Sequence, residues 1–238
     1  MLRTLPRPLI SLMLIAANPA GADMAMNDNP VIVQSYVKAL EYRAGSGENS
    51  IDWENAELRI GTDLNKLALR SSGEWSDGEV HHADLSILYS RAVSAYWNLQ
   101  AGWKRDIRPK PHRDWFTVGL SGISPYHFDS EIFISVGRDG NMNLYLEAEK
   151  EILVTQRIIL APAFTMDVYN KDDPEYGIGS GVSETEIGLR LRYAIRKNFL
   201  PYIGINWVQQ YGDTAELSRL SGDKTSDTRW VFGFKGWY

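Results

Sequence analysis

The sequence predicts an all-β fold: an antiparallel barrel that crosses a bilayer with twelve strands, or with ten, since the first strand is the least certain. Three observations predict it. From about residue 34 the chain runs as segments near ten residues long, apolar on one parity and polar on the other, with no convincing helical period. The connections between segments sort by length, short and long in alternation. The last segment sets Trp230, Phe232, Phe234, Gly236 and Tyr238 on one face against Arg229, Val231, Gly233, Lys235 and Trp237 on the other. A strand with one oily face, one mixed face and a terminal aromatic residue is how a bacterial outer-membrane barrel closes. A soluble sandwich edge would look similar, so the rest of the chain decides.

The first 22 residues read as a secretory signal peptide. Arg3 and Arg7 supply the positive region, Leu9 to Ala17 the short apolar stretch, and Ala20-Gly21-Ala22 a small-x-small cleavage site. Residues 23–33 would be a short periplasmic tail and 34–238 the barrel. Its strands begin near 34–43, the least certain, and 51–60, which Gly61-Thr62-Asp63 turns into 64–75. A strand near 79–92 ends at Val93-Ser94. The next, 95–106, sets Trp97, Leu99, Ala101 and Trp103 against Asn98, Gln100, Gly102 and Lys104. Beyond the stretch from Asp106 to Asp114 lie 114–122 and, after the turn Ile123 to Tyr126, 127–138. The eighth strand, 141–153, alternates Leu144, Leu146 and Ala148 with Tyr145, Glu147 and Glu149. Val154-Thr155-Gln156 leads to 157–169, where Ile158, Leu160, Pro162, Phe164, Met166 and Val168 oppose Arg157, Ile159, Ala161, Ala163, Thr165 and Asp167. In 184–196 the apolar set is Ile187, Leu189, Leu191, Tyr193 and Ile195. Strands near 200–211 and 227–238 complete the count.

If both termini are periplasmic, alternate connections should be tight turns, and that set is all short. The remaining set contains the long stretches Asp106 to Asp114, Asn170 to Ser183 and Gly212 to Ser226, which would be extracellular. Aromatic residues cluster at both predicted rims. Tyr96, Trp97, Tyr126, Phe128, Phe199 and Tyr238 lie at the periplasmic one, and Trp53, Trp75, Trp115, Phe116, Tyr169, Tyr211 and Trp230 at the other, as two interfacial girdles require.

Composition narrows the function classes. The 238 residues suit one domain. There is no cysteine, which excludes disulfides, thiolate metal sites and Cys nucleophiles, and a net charge of −5 makes no case for nucleic acid. The mean hydropathy of −0.30 would suggest a soluble protein. In a barrel, however, only alternate residues meet lipid, so the average over both faces is polar.

The inward face carries charges of both signs, among them Glu57, Arg59, Lys66, Arg70, Asp84, Lys104, Glu131, Glu147, Glu149, Glu151, Arg157, Asp167, Glu186, Arg190, Arg192, Arg196, Arg229 and Lys235. A charge on the lipid face costs roughly 2–4 kcal/mol at mid-bilayer, so so many must point inward. They read as a polar filling that pairs across the lumen, or as a selective conduction path through that network.

Several stretches resemble one family, the copper resistance protein B outer-membrane proteins of Gram-negative bacteria. They include Asn55-Ala56-Glu57-Leu58-Arg59-Ile60-Gly61, Leu88-Tyr89-Ser90-Arg91-Ala92, Tyr96-Trp97-Asn98-Leu99-Gln100-Ala101-Gly102 and Thr155-Gln156-Arg157. The strongest is Tyr176-Gly177-Ile178-Gly179-Ser180-Gly181-Val182-Ser183 running into Glu186-Ile187-Gly188-Leu189-Arg190-Leu191-Arg192-Tyr193, followed by Tyr211-Gly212-Asp213-Thr214-Ala215 and Ser226-Asp227-Thr228-Arg229. The resemblance implies an outer-membrane protein of copper tolerance that binds copper ions or aids their movement. It also implies outer-membrane lipid around the barrel, a periplasmic multicopper oxidase as partner, and no enzymatic activity. Many relatives carry a long Met- and His-rich segment before the barrel, whereas here Asp23-Met24-Ala25-Met26 stands before Pro30.

Copper calls for imidazole nitrogens or thioether sulfurs, the sulfurs favouring Cu(I). Met142 and Met166 fall on the lipid parity and read as apolar residues. Met24 and Met26, with an α-amine at Asp23, offer a weak two-sulfur site or else an unstructured tail. His81 falls outward. His82 points inward with Asp84 two residues on, which gives an imidazole and a carboxylate on one strand face at the lumen mouth, or else a solvated rim. His112 lies among cations in Arg108-Pro109-Lys110-Pro111-His112-Arg113, and His127 follows a periplasmic turn. The metal candidates are therefore His82, Asp84, Met24 and Met26. A generic diffusion barrel remains the alternative. A lipase would need a serine beside an outward histidine, and no serine shares the face of His81 in its strand.

Overall fold

The structure, a computed structural model, describes residues 29–45 and 49–238. The signal peptide (1–22), Met24 and Met26 lie outside the described residues. Strands β1 (Ile32–Gly45), β2 (Ser50–Gly61), β3 (Asn65–Ser76), β4 (Glu79–Ala92), β5 (Trp97–Arg108), β6 (Arg113–Ser124) and β7 (Phe128–Gly137) follow one another as an antiparallel meander. The next rung consists of β8 (Met142–Lys150) and its short continuation β9 (Ile152–Leu153), interrupted at Glu151. β10 (Ile158–Tyr169), β11 (Gly181–Tyr193), β12 (Phe199–Gln210) and β13 (Ser226–Trp237) complete twelve rungs.

β13 pairs with β1, from Tyr36 opposite Trp237 to Gly45 opposite Arg229, so the sheet closes on itself and leaves no edge. The closure extends to Tyr238, whose backbone exchanges two 2.8 Å hydrogen bonds with Ser35. Closure matters because hydrocarbon offers no partner to an unpaired backbone N–H or C=O.

The alternation expected from sequence is the alternation observed. On β4, Ile87 and Tyr89 face outward while Asp84, Ser86, Leu88 and Ser90 are buried in the lumen. On β11, Ile187, Leu189, Leu191 and Tyr193 face outward and Arg190 and Arg192 inward. The apolar side chains thus form the outer surface, and the interior is largely polar. Ala68, Leu88 and Phe133 make one small apolar cluster inside, joined by Tyr145.

Four features depart from expectation. Trp115 and Tyr169 leave the predicted girdle and turn into the lumen, where the Trp115 indole donates to Asp106 at 2.8 Å. Arg157 and Arg196 sit exposed in periplasmic turns rather than inside. β5 and β6 run on to Arg108 and Arg113, so the expected long loop there is a four-residue turn at 109–112. Finally, a helix α1 (Gly212–Ser221) occupies what reads as loop. Ten mostly polar residues are too few to reveal a period of 3.6, and the signal that remains is local: good formers at Ala215, Glu216, Leu217 and Arg219, then Gly222 in the left-handed region, where glycine ends a helix most easily. Thr214 fixes α1 to the β10–β11 loop and to the start of β11, accepting from the Gly179 N–H at 2.8 Å and donating to Ser183 at 3.0 Å.

Candidate functional site

The lumen is organised by a belt of ion pairs at mid-height. Lys38 on β1 reaches Glu54 on β2 at 2.6 Å and also bonds Glu147 across the barrel on β8. Tyr145 donates to the other oxygen of Glu147 at 2.9 Å. Arg70 on β3 bridges Glu131 (3.1 Å) and Glu57 (3.4 Å) with its guanidinium over the Phe133 ring. On the opposite wall Arg190 binds Glu41 at 2.6 Å, and Tyr202 donates to the same oxygen at 2.9 Å. Nearer the periplasm Arg192 grips Glu149 with two bonds of 2.7 Å, and Lys235 and Arg192 share Glu151 at 2.9 Å each. Charges this buried persist only where partners and hydrogen bonds offset their lost hydration.

Part of this belt escapes sequence parity. Lys38 and Glu41 stand three residues apart and would face opposite ways on a regular strand. An irregularity between Val37 and Leu40 brings both inside. A second one in β2 sets Asn55 in the left-handed region, its N–H donating to Ser72 at 3.1 Å.

The belt divides the interior into two cavities, about 350 Å³ on the extracellular side and about 490 Å³ on the periplasmic side. Lys38, Asn55, Glu131 and Glu147 line both, as the floor of one and the roof of the other.

The extracellular cavity is acidic. Its wall carries eight carboxylates (Glu54, Asp84, Glu131, Glu147, Glu149, Asp167, Glu184 and Glu186) against six cations (Lys38, Arg43, Arg70, Lys104, Arg190 and Arg192). Three of the acids are without an ion pair. Among the described residues, no Lys, Arg or His nitrogen lies within 4 Å of Asp84, Asp167 or Glu184. Asp167 accepts from Asn143 at 2.9 Å and Glu184 from Gln210 at 3.4 Å. Asp167 and Glu184 are direct cross-strand partners, a like-charge pairing that costs stability in a sheet. Above them the mouth is tied by Arg113, which pairs with Asp106 (3.0 Å) and with Asp173 of the β10–β11 loop (3.2 Å) and stacks on Tyr176 at 3.7 Å.

His82 and Asp84 both line this cavity. Asp84 is buried and His82 is exposed at the mouth; their cross-strand partners are Asp106 and Ser72 for Asp84, and Glu74 for His82. Together they offer one nitrogen and one carboxylate, half of what a four-coordinate copper requires. Among the described residues, no three His, Asp or Glu side chains converge so that they could hold a metal ion. Outside the strands, the Ser180 N–H donates to Asp172 at 2.6 Å and holds that carboxyl below the usual carboxylate range.

The comparisons agree with one another. A family model described as copper resistance protein B precursor matches residues 31–238. The chain is 36% identical over 214 residues to copper resistance protein B of Escherichia coli, covering 90% of this chain and 72% of that protein. It is 35% identical over 208 residues to a copper resistance protein B homolog of Pseudomonas syringae pv. tomato, covering 87% of this chain and 70% of the homolog. Among solved structures, the NanC porin superposes with a TM-score of 0.54 at 14% identity, covering 86% of this chain and 99% of the porin. At that identity the likeness speaks for the fold alone: a closed twelve-strand barrel of the outer-membrane porin kind.

Proposed function

The chain belongs to the copper resistance protein B family, and from that membership we propose that this outer-membrane barrel binds copper ions weakly at the extracellular mouth of its lumen, aiding their sequestration at, or movement across, the outer membrane. The observation that carries the reading is the charge imbalance of the upper cavity: Asp84, Asp167 and Glu184 face it with no ion pair among the described residues, and His82 stands at its rim. Unpaired carboxylates in a narrow, low-dielectric mouth raise the local concentration of cations. A Cu(II) ion drawn there would find the His82 imidazole and the Asp84 carboxylate as its first two protein donors, with water completing the set. Met24 and Met26 form the second candidate, a soft thioether pair on the tail (23–33), suited to Cu(I). A periplasmic multicopper oxidase is the partner we propose for that side of the membrane.

The ion-pair belt favours a second reading. With Lys38 bonded to both Glu54 and Glu147, the lumen is crossed by a plug, and the barrel would then be a structural or generic diffusion barrel with no metal site of its own.

Equilibrium binding of Cu(I) and Cu(II) to the detergent-refolded barrel separates the two, using His82→Ala/Asp84→Ala and a truncation that removes Met24 and Met26. Stoichiometric Cu(II) binding lost in the double variant supports the mouth site. Binding lost only in the truncation makes the tail the copper-catching element. No binding tighter than millimolar in any form leaves the structural barrel standing.

A further inference from the structure

Through its middle the outer surface of the barrel is apolar, with Ile87, Leu99, Val118, Leu120, Ile132 and Ile134 among the residues that would meet hydrocarbon. At the extracellular rim of one sector this changes. Arg105 on β5 faces outward and forks onto Asp114 on β6 with bonds of 2.7 and 3.0 Å, its guanidinium 5.0 Å over the Trp103 ring. Trp103 donates to the same carboxylate at 3.1 Å. Arg138, in the turn after β7, approaches the second oxygen of Asp114 at 3.8 Å and is 85% exposed.

Register explains the gathering. Arg105 is the cross-strand partner of Asp114, and the neighbouring pair Trp115–Gly137 brings Arg138 level with both. One carboxylate therefore serves two guanidiniums, which leaves the cluster net positive with N–H donors unused. Phe116 and Val136, exposed on the same two strands, continue the apolar band directly beneath it.

A cationic pair held at the border between apolar band and rim, outside the lumen, has no part in cation capture. Its position and charge suit an anionic headgroup whose acyl chains lie along the band below. We propose that Arg105 and Arg138, positioned by Asp114 and Trp103, form a binding site for a phosphate group of the phosphorylated glycolipid in the outer leaflet. Guanidinium matches a phosphomonoester through paired, charge-assisted hydrogen bonds. A zwitterionic glycerophospholipid, whose ammonium the arginines would repel, fits less well. The Trp103 face keeps Arg105 extended at headgroup level.

The test is native mass spectrometry of the detergent-purified barrel with diphosphoryl lipid A, its dephosphorylated form, and inorganic phosphate as competitor. The expected result is a lipid adduct that needs the phosphate, survives millimolar inorganic phosphate, and weakens about tenfold in Arg105→Gln/Arg138→Gln, equivalent to about 1.4 kcal/mol. Arg138→Gln alone should weaken it less while keeping the fold, since that side chain is almost wholly exposed. Arg91→Gln, at the periplasmic edge, should leave it unchanged. Equal binding by the double variant, equal binding of the dephosphorylated lipid, full displacement by inorganic phosphate, or a matching loss in Arg91→Gln would each overturn the assignment.

Discussion

At mid-lumen Lys38, Arg70, Arg190 and Arg192 each have a carboxylate within 3.1 Å, whereas Asp84, Asp167 and Glu184 face the extracellular cavity with no cation within 4 Å among the described residues. Both regions are built from charged side chains on the inner face of one wall. In the belt every acid has a cation within 3.4 Å, so the region resists change. At the mouth, acids outnumber bases and two of them oppose each other directly, at a cost in stability that packing alone gives no reason to accept. The contrast teaches that burial of charge is not one phenomenon here. Paired charges hold the barrel in shape, whereas the acids at the mouth are what the proposed cation capture would draw on.

Breaking the belt should have the largest effect. Among the described residues, Arg192→Leu leaves buried Glu149 with Lys235 as its one remaining cation partner, at 3.4 Å. Removing one partner of a buried pair costs about 3–5 kcal/mol. Urea unfolding of the barrel in lipid vesicles should show that loss, and Arg192→Leu/Glu149→Leu should recover most of it. If single and double variants unfold alike, the pair does not hold the barrel.

Lys38→Ala should open the floor between the two cavities. Planar-bilayer recordings should show a severalfold rise in conductance and a stronger preference for cations, because Glu54 and Glu147 lose their shared ammonium. An unchanged conductance would mean that the remaining pairs suffice to plug the lumen.

At the mouth the expected sign reverses. Asp167→Asn/Glu184→Gln removes a like-charge pair and should raise stability by about 0.2–1 kcal/mol. The same change should reduce the cation preference of the Lys38→Ala channel. A loss of stability would show that both carboxylates have partners worth more than their mutual repulsion.

Much of this contrast was legible in the sequence, and the reasons are local. Period-two alternation named Glu147, Glu149, Arg190 and Arg192 as inward residues because their strands are regular. It missed Lys38 with Glu41, whose spacing makes sense only once a bulge shifts the register between Val37 and Leu40. His82 and Asp84 line one cavity because they share a strand face. The Asp167–Glu184 pair needs the register between β10 and β11, including its shift at Asp167–Val168, and alternation within one strand does not supply that. Type and position point Trp115 to the girdle, while its indole turns inward to Asp106. The helix over the mouth is invisible to any test of amphipathic period, since α1 buries only Thr214 and Ala215.

The smallest effect belongs to the cover of the mouth. The β10–β11 loop is tied by Arg113 to Asp173 and Tyr176, by the Tyr176 hydroxyl to the Pro111 carbonyl, by Gly179 to Thr214, and by the Ser180 N–H to Asp172. Only the last depends on a fully exposed carboxyl whose pKa is lowered by the bond it accepts. The sign follows from that direction: the contribution is fully present above the ordinary carboxylate pKa of about 3.9 and is lost as pH falls through the lowered value. Amide hydrogen exchange at Ser180, compared with Asp172→Asn at each pH, should therefore show protection near neutrality that converges with the variant only in strong acid. Because the other ties persist, the rest of the loop should keep its protection throughout. Loss of protection across the whole loop at the same pH would mean instead that Asp172 anchors the cover and the Arg113 stack does not.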